Sequence, residues 1–164
     1  TQGDSIVSKI YQKLGVETMY KEDSIIISKN KMSNLPNILK LDLSDTPDLA
    51  QTIAVSCLGL GIECELSGLD TLKIKETDRI EALKKEFIKL GVDGITTSDN
   101  KIYFRGDQEL NNNIKISTYQ DHRMALSFAP LAVIIDISIQ SPNVVSKSFP
   151  DYWEDLKTLG FKIN

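Results

Sequence analysis

The clearest hydrophobic pattern in the chain begins at Ile80 and continues at Leu83, Phe87 and Leu90. These intervals of three and four residues place the apolar side chains on one face of an amphipathic helix, which we predict over residues 77–90. The residues between them are mostly charged, so the opposite face of this helix is predicted to meet solvent.

Two other segments are apolar on almost every side. Residues 48–58 and 121–135 have little polar face, which is typical of helices buried in the middle of a domain. A short apolar strand is predicted before and after each of these helices, at residues 39–44 and 63–69 around the first and at 114–117 and 137–140 around the second.

These elements belong to a repeated β-α-β-α-β-β unit. The sequence Lys-Leu-Gly-Val occurs at 13–16 and again at 89–92, and each copy ends a predicted helix and starts a predicted β-hairpin. The unit is complete once, over about residues 39–104. The last part of a unit, a helix and a β-hairpin, precedes the complete copy. The first part of another unit follows the complete copy and ends in a predicted helix over 150–159. We therefore predict an α/β fold with one pseudo-symmetric domain over residues 1–164.

The run Lys75-Glu76-Thr77-Asp78-Arg79 lies where the amphipathic helix begins. Free backbone N–H groups and the helix dipole favour an anion at such a position. Lys75 and Arg79 strengthen that preference, and Glu76 can move a proton. The alternative is a solvated first turn in which Thr77 is the N-cap and Asp78 is the first helical residue.

The repeat gives this run a counterpart. Lys75 lies 27 residues after Asp48, and Lys147 lies 26 residues after Asp121. Each unit therefore has an aspartate where its buried helix begins and a lysine just before its next helix. Pseudo-symmetry predicts that these helix starts approach one another, although each cation taken alone fits an ordinary surface position. The cations predicted to converge on one anion are Lys75, Arg79, Arg123 and Lys147.

Composition excludes several classes of function. A net charge of −4 and a pI near 5.0 argue against broad, sequence-independent nucleic-acid binding. One histidine and two cysteines, Cys57 and Cys64, without a Cys-x-x-Cys motif argue against a metal site. No apolar run approaches the roughly 18 residues that span a membrane. We predict reduced, buried thiols, a cytoplasmic protein, and neither nucleic-acid nor membrane partners.

Four motifs resemble those of the 5-enolpyruvylshikimate-3-phosphate synthase family, in the same order and at fitting spacing. They are TPDLAQT at 46–52, IKETDRI at 74–80, DHRMA at 121–125 and KSFPDY at 147–152. Each motif alone is a weak signal, but four in register are specific.

The resemblance implies a two-domain enzyme in which each domain contains three β-α-β-α-β-β units, with helices inside and sheets outside. This chain would be most of the C-terminal half, and the N-terminal domain would be absent. By this resemblance the chain alone is expected to have little or no activity, and the full-length enzyme is expected to be a monomer.

The resemblance also implies a reaction. The enolpyruvyl group of phosphoenolpyruvate would pass to the 5-hydroxyl of shikimate 3-phosphate, with release of phosphate and without a cofactor. The hydroxyl oxygen adds to C2 while C3 gains a proton, and phosphate then leaves as C3 loses a proton. Such a reaction requires a base at the hydroxyl, a proton carrier at C3 and cations around phosphate and carboxylate.

By resemblance, Asp48 accepts the hydroxyl proton, Glu76 exchanges a proton with C3, and Lys75 shares the acid–base work. Asp48 and Lys75 are also expected to contact shikimate 3-phosphate. Thr71 is a further candidate for that contact, although some family members have asparagine there. The residues that match the phosphoenolpyruvate-binding cations are Arg79, Arg123 and Lys147. His122 matches a family histidine near the site, and both a structural and a catalytic role are open.

Two alternatives remain at this stage. The related enolpyruvyltransferase that acts on UDP-N-acetylglucosamine shares fold and chemistry, but that family lacks the Lys-Glu-Thr-Asp-Arg run. A non-catalytic anion-binding module is the second alternative. Paired carboxylates at Asp48 and Glu76 argue against it, because pure anion binding gains nothing from carboxylates beside the cations.

Overall fold

A computed structural model describes residues 3–30 and 34–164 of the chain. The first described part contains helix α1 and a β-hairpin of strands β1 and β2; these are Val7–Lys13, Val16–Tyr20 and Ile25–Lys29. A 3-10 turn, Gly3–Ile6, leads into α1.

The middle of the chain forms the complete predicted unit. Its strands and helices, in chain order, are β3 (Ile38–Asp42), α2 (Ala50–Gly59), β4 (Glu63–Ser67), α3 (Arg79–Lys89), β5 (Thr96–Thr97) and β6 (Lys101–Phe104). Its four strands form one sheet in the order β3-β4-β6-β5. Strands β3 and β4 are parallel, and β6 is antiparallel to both β4 and β5. Two 3-10 helices, Pro47–Leu49 and Asp70–Ile74, precede α2 and α3.

The last part repeats the head of the unit. Its elements are β7 (Ile114–Ile116), α4 (His122–Phe128), β8 (Ile137–Ile139) and α5 (Tyr152–Thr158). Strands β7 and β8 are parallel, as β3 and β4 are. The hairpin β1–β2 and the pair β7–β8 form separate two-stranded sheets. The repeat predicted from sequence is therefore confirmed as complete in the middle and partial on both sides.

Helices α2 and α4 pack against each other, and their inward-facing side chains belong to one hydrophobic core. Phe87 of α3 joins the units, because its ring meets Phe104 of β6 edge to face at 4.9 Å and Phe128 of α4 at 6.0 Å. The prediction that α2 is buried nearly all round is confirmed.

The predicted helix over 121–135 is too long. Helix α4 ends at Phe128, and a 3-10 helix, Ala129–Val133, continues the chain. Pro130 explains the change, because proline has no N–H to donate to the carbonyl four residues earlier. That carbonyl, of Leu126, accepts a hydrogen bond from Tyr152 Oη at 3.0 Å instead. Val133 and Ile134, which were expected in the buried helix, are 73% and 52% exposed. They border an apolar groove of about 480 Å³ that β2 and α2 also line.

No helix in the described ranges is long and apolar enough to cross a membrane.

Candidate active site

Arg79 is the first residue of α3. The N-cap of that helix is Asp78, whose side chain accepts a hydrogen bond of 3.0 Å from the Glu81 backbone N–H. The prediction of Thr77 as N-cap is therefore wrong by one residue. The difference matters because it makes Arg79 itself the first helical residue and directs its side chain inward, where it is only 2% exposed.

Three carboxylates surround the buried guanidinium of Arg79. Nε donates to Asp121 Oδ2 at 2.6 Å, Nη1 donates to Asp48 Oδ1 at 2.8 Å, and Nη2 donates to Glu76 Oε2 at 2.6 Å. A buried cation needs such partners, since an unpaired charge in the interior is strongly destabilising. Asp48 and Asp121 come from the starts of the two buried helices, so Arg79 ties α3 to both units.

Asp48 is in turn the meeting point of three cations. Besides Arg79, it has Lys75 Nζ at 3.3 Å from Oδ1 and Arg123 Nη2 at 3.2 Å from Oδ2. Arg123 also donates from Nη1 to the Asp48 backbone carbonyl at 3.1 Å. The structure thus brings Lys75, Arg79 and Arg123 together around Asp48, and their convergence on a bound substrate anion stays a prediction.

The cluster has a buried layer and an accessible layer. Arg79 and Asp121 are 2% and 0% exposed. The accessible layer is formed by partly exposed side chains, namely Arg123 at 27%, Asp48 at 30%, Lys75 at 34% and Glu76 at 44%. A ligand can therefore reach two cations and two carboxylates directly.

The charges around Asp48 set its protonation. Burial by itself would raise the pKa of this carboxyl, but Arg123, Arg79 and Lys75 together outweigh burial and hold the pKa below its ordinary value. Asp48 is therefore ionised at neutral pH, and in this arrangement it is a hydrogen-bond acceptor and a weak base.

Asp121 begins α4 in the way that Asp48 precedes α2. Its side chain accepts from the Arg123 backbone N–H at 2.8 Å, which caps the helix, and it holds Arg79 from the other side. Asp121 therefore both caps α4 and orients Arg79. His122 lies beside it, with Nδ1 at 3.9 Å from Asp121 Oδ1, and its side chain is 24% exposed. His122 is thus at the site, and its role in the reaction stays a prediction.

Lys147 and Thr71 stand apart from these contacts. Lys147 follows the 3-10 helix Pro142–Val145, which packs against α4, and it is exposed and forms no ion pair with any described residue. Thr71 is exposed in the 3-10 helix before Lys75 and forms no hydrogen bond within the described ranges. The participation of both residues remains a prediction.

Direct contact of Arg79 with a substrate anion stays a prediction, and the structure shows what surrounds this side chain in the absence of substrate. Its guanidinium is buried, and the carboxylates of Asp48, Glu76 and Asp121 occupy its N–H groups. The sequence could not show this, because Asp121 lies 42 residues away along the chain. An anion reaches Arg79 only if Asp48 or Glu76 moves aside.

Sequence reasoning missed one buried charge in the neighbourhood. Glu86 is 0% exposed, and it accepts hydrogen bonds from Tyr119, Ser117 and Lys89. A signal was available, since Glu86 lies three residues after Leu83 and therefore on the apolar stripe of α3.

Neither cysteine is part of this site. Cys57 and Cys64 are free thiols, and both are fully buried. The described residues hold no group of three or more His, Cys, Asp or Glu side chains arranged to bind a metal ion.

Comparison with known proteins agrees with this geometry. The family model for EPSP synthase (3-phosphoshikimate 1-carboxyvinyltransferase) matches residues 1–156. The chain is 46% identical to the 3-phosphoshikimate 1-carboxyvinyltransferase of Bacteroides fragilis and 34% identical to that of Saccharolobus solfataricus. Each alignment covers 99% of this chain, but only 40% and 38% of the respective relative. The chain thus spans about two fifths of the length of the curated relatives that it matches.

The fold is also that of a known structure. EPSP synthase from Acinetobacter baumannii superimposes with a TM-score of 0.77 over 100% of this chain and 40% of that chain. At 20% sequence identity this likeness bears on the fold alone, which is the enolpyruvyltransferase fold. With the family model matching nearly the whole sequence, the chain belongs to the EPSP synthase family.

Proposed function

We propose that this chain forms part of the active site of an enzyme that transfers the enolpyruvyl group from phosphoenolpyruvate to the 5-hydroxyl of shikimate 3-phosphate. Phosphate is the second product. The observation that carries the proposal is the cluster around Asp48, where Lys75, Arg79 and Arg123 meet one partly exposed carboxylate. The names of the relatives, which specify carboxyvinyl transfer to 3-phosphoshikimate, support the same reaction.

Asp48 is the proposed acceptor of the hydroxyl proton. In the free chain its cations stabilise the ionised form, which makes it a weak base. Anionic substrates compete for Arg123 and Lys75, and each cation that turns toward substrate raises the proton affinity of Asp48. The oxygen of the 5-hydroxyl then bonds to C2 as its proton passes to Asp48.

Glu76 is the proposed proton carrier at C3. Its side chain is 44% exposed, and Arg79 fixes one carboxylate oxygen at 2.6 Å while Oε1 has no described partner. A carboxyl group held in this way can give a proton to C3 in the addition and take one back in the elimination. We propose that Lys75, on the same segment, contacts shikimate 3-phosphate and shares this work.

The cations divide into two kinds. Arg123 and Lys75 are partly exposed and suit direct contact with phosphate or carboxylate, and we propose that Lys147 joins them when substrate is bound. Arg79 is buried, and its role in the free chain is to orient Asp48 and Glu76. A direct bond from Arg79 to phosphoenolpyruvate belongs to a rearranged, substrate-bound state.

The two other candidate functions are less well supported. The match to the EPSP synthase model over residues 1–156 disfavours the enolpyruvyltransferase that acts on UDP-N-acetylglucosamine. A pure anion-binding module does not explain why Glu76 and Asp48 lie on the accessible layer with the cations. We further infer a cytoplasmic location, which the free thiols of Cys57 and Cys64 support, since disulfides are rare there.

The test is phosphate release by the full-length protein that contains this chain. Phosphoenolpyruvate with shikimate 3-phosphate is expected to give phosphate, whereas phosphoenolpyruvate with UDP-N-acetylglucosamine is not. We expect little release from the chain alone and restored release when the separately made N-terminal half is added. No release from the full-length protein with either acceptor would leave only the anion-binding function.

A further inference from the structure

We propose that Glu86 is a positioning residue that holds the loop of residues 117–120 and, through this loop, places Asp121, His122 and Arg123 at the active site. The proposal rests on the proposed function for its meaning in catalysis. The positioning itself is argued from the hydrogen bonds of Glu86, which lie outside the cluster around Asp48.

Glu86 is a carboxylate in the interior with every oxygen occupied. Oε1 accepts from Tyr119 Oη at 2.6 Å, Oε2 accepts from the Ser117 backbone N–H at 3.1 Å, and Lys89 Nζ is 2.8 Å from both oxygens. Lys89 also donates to Ser117 Oγ at 3.0 Å. Two of the partners of Glu86 therefore come from the loop, and the third bonds to the same loop.

The loop needs to be held. Tyr119 and Gln120 are consecutive non-glycine residues with φ of 52° and 59°, in the left-handed region that side chains disfavour. Such a conformation persists only when the surroundings fix it. Gln120 is exposed and has no described hydrogen-bond partner, so it does not fix itself. Tyr119 supplies the attachment through its hydroxyl.

The phenol of Tyr119 is suited to this bond. Burial and, after it, the hydrogen bond to Glu86 raise the pKa of Tyr119 above its ordinary value. Its hydroxyl therefore keeps its proton and donates to the carboxylate across the accessible pH range.

Two side chains of helix α3 hydrogen-bond to the loop and to the residue that follows it. Arg79 and Glu86 are seven residues apart, which is two helical turns, so they lie on the same face of α3. Arg79 holds Asp121 at the end of the loop, and Glu86 holds Tyr119 and Ser117 before it. Of the left-handed pair, Tyr119 carries the attachment to Glu86, and Gln120 lies between it and Asp121, where the chain turns into α4. Loss of Glu86 would leave Asp121 attached at one end only.

The experiment compares Glu86→Gln and Tyr119→Phe with Glu81→Gln as the matched control. Glu81 lies on the same helix, but it is about half exposed, and among the described residues its carboxylate forms an ion pair only with Lys85 at 3.6 Å. His122 is the only histidine of the chain, so its imidazole resonances report the site without overlap. We expect Glu86→Gln and Tyr119→Phe to displace the His122 resonances in the same direction and Glu81→Gln to leave them in place.

A rescue variant separates positioning from general support of the core. Gln120→Gly removes the conformational cost of one left-handed residue without touching the network. Added to Glu86→Gln, it is expected to bring the His122 resonances part of the way back. In the full-length enzyme we expect Glu86→Gln to lower kcat/KM for phosphoenolpyruvate by about 10- to 100-fold and the rescue to recover several-fold.

The outcomes are distinguishable. Unchanged His122 resonances in folded Tyr119→Phe, or no recovery with Gln120→Gly, would overturn the positioning role. If Glu86→Gln does not fold, Tyr119→Phe decides the question, because it removes only one hydroxyl. Displaced and rescued resonances in a protein whose full-length form releases no phosphate would support the positioning role and refute the proposed function.

Discussion

At the scale of the residue, the contacts of the Asp48 side chain are ion pairs with neighbouring cations and not hydrogen bonds to the start of a helix. Asp48 precedes α2 in a 3-10 turn and makes no capping hydrogen bond within the described ranges. Its oxygens are instead shared among Arg79, Lys75 and Arg123. Charge pairing across units therefore accounts for an aspartate at this position.

Replacing Glu76 by glutamine separates proton transfer from binding. The amide of Glu76→Gln keeps an oxygen for Arg79 but cannot donate or recover a proton at C3. We expect kcat of the full-length enzyme to fall by about 10²-fold or more, with a modest change in KM for both substrates. The measurement is steady-state phosphate release.

The matched comparison for Glu76→Gln is Arg123→Gln, which removes a cation from the accessible layer. This variant is expected to raise KM for phosphoenolpyruvate first. Wild-type turnover in Glu76→Gln would remove Glu76 from the mechanism, and unchanged affinity in Arg123→Gln would contradict the converging-cation arrangement.

Asp48 gives the fold a defined acid sensitivity. Because its pKa is lowered in the folded chain, its ionised form stabilises the fold above the ordinary pKa of 3.8, and this contribution is lost as pH falls through the lower, folded value. Asp48→Asn is therefore expected to be less stable than the parent near neutral pH and to approach it in strong acid. Urea unfolding at a series of pH values measures this difference.

Asp45→Asn is the control for that series. Asp45 is exposed three residues away and forms no ion pair with any described residue. Its variant should follow the parent at every pH. A constant gap between Asp48→Asn and the parent down to strong acid would show that the cations do not act through the ionised carboxylate.

Sequence alone could predict which residues meet but not how they meet. The similar spacings from Asp48 to Lys75 and from Asp121 to Lys147, 27 and 26 residues, were sufficient to expect helix starts at a common end. The burial of Arg79 was not predictable, because it depends on packing between α3 and α4 in three dimensions. The place of Glu86 on the apolar stripe of α3 was visible in the sequence, but its loop partners were not, because Ser117 and Tyr119 lie 31 and 33 residues further along the chain.

At the scale of the element, the turn between β4 and the segment carrying Lys75 depends on Gly68. Its φ is +73°, and a Cβ there would come within 2.5 Å of Asp42 Oδ1 and closer still to Ser44. We expect Gly68→Ala to lower the free energy of unfolding by about 3 kcal/mol or more, since it adds a clash to backbone strain. Denaturant titration measures the loss.

Gly94 provides a nearly ideal control for this substitution. Its φ is +68°, but no atom lies within 4 Å of the position that a Cβ would occupy. Gly94→Ala should therefore cost only the strain of the left-handed backbone, about 1 kcal/mol. Equal losses for the two variants would mean that close approach to β3 and the following turn is unimportant.

Element boundaries were predictable where glycine or a charge pattern marks them, and less so elsewhere. The prediction of a helix over 77–90 corresponds closely to α3, Arg79–Lys89. The prediction over 121–135 ignored Pro130. Because proline has no N–H for the α-helical hydrogen bond, α4 ends at Phe128 and a 3-10 helix follows. Periodicity extended the helix because the residues after the proline are as apolar as those before it.

At the scale of the whole molecule, the middle unit differs from the others in the described ranges because its four strands form one sheet, whereas each of the other two sheets has two strands. In that unit β6 pairs on both edges, with β4 and with β5. Its counterpart β2 pairs only with β1 in the part of the chain that the structure describes, and all five of its residues are exposed. The first hairpin therefore lacks the packing that stabilises the middle sheet.

Hydrogen exchange should reveal this difference directly. In the chain alone, the amides of β2 are expected to exchange about tenfold or more faster than those of β6. Adding a separately made fragment that supplies the remaining length of the relatives tests whether β2 gains protection. Equal protection of β2 and β6 in the chain alone would show that the hairpin is stable without further partners.

Because both cysteines are buried, we expect the folded chain to react slowly with thiol reagents. Cys57 and Cys64 are 0% exposed, so a maleimide or nitroxide reagent finds no native target on the folded surface. A cysteine introduced by Ser146→Cys, at an exposed position on the segment beside α4, and a second one introduced on α3 would be the accessible thiols of the chain. A spin label there would follow the distance from this segment to a second label on α3 as phosphoenolpyruvate is added.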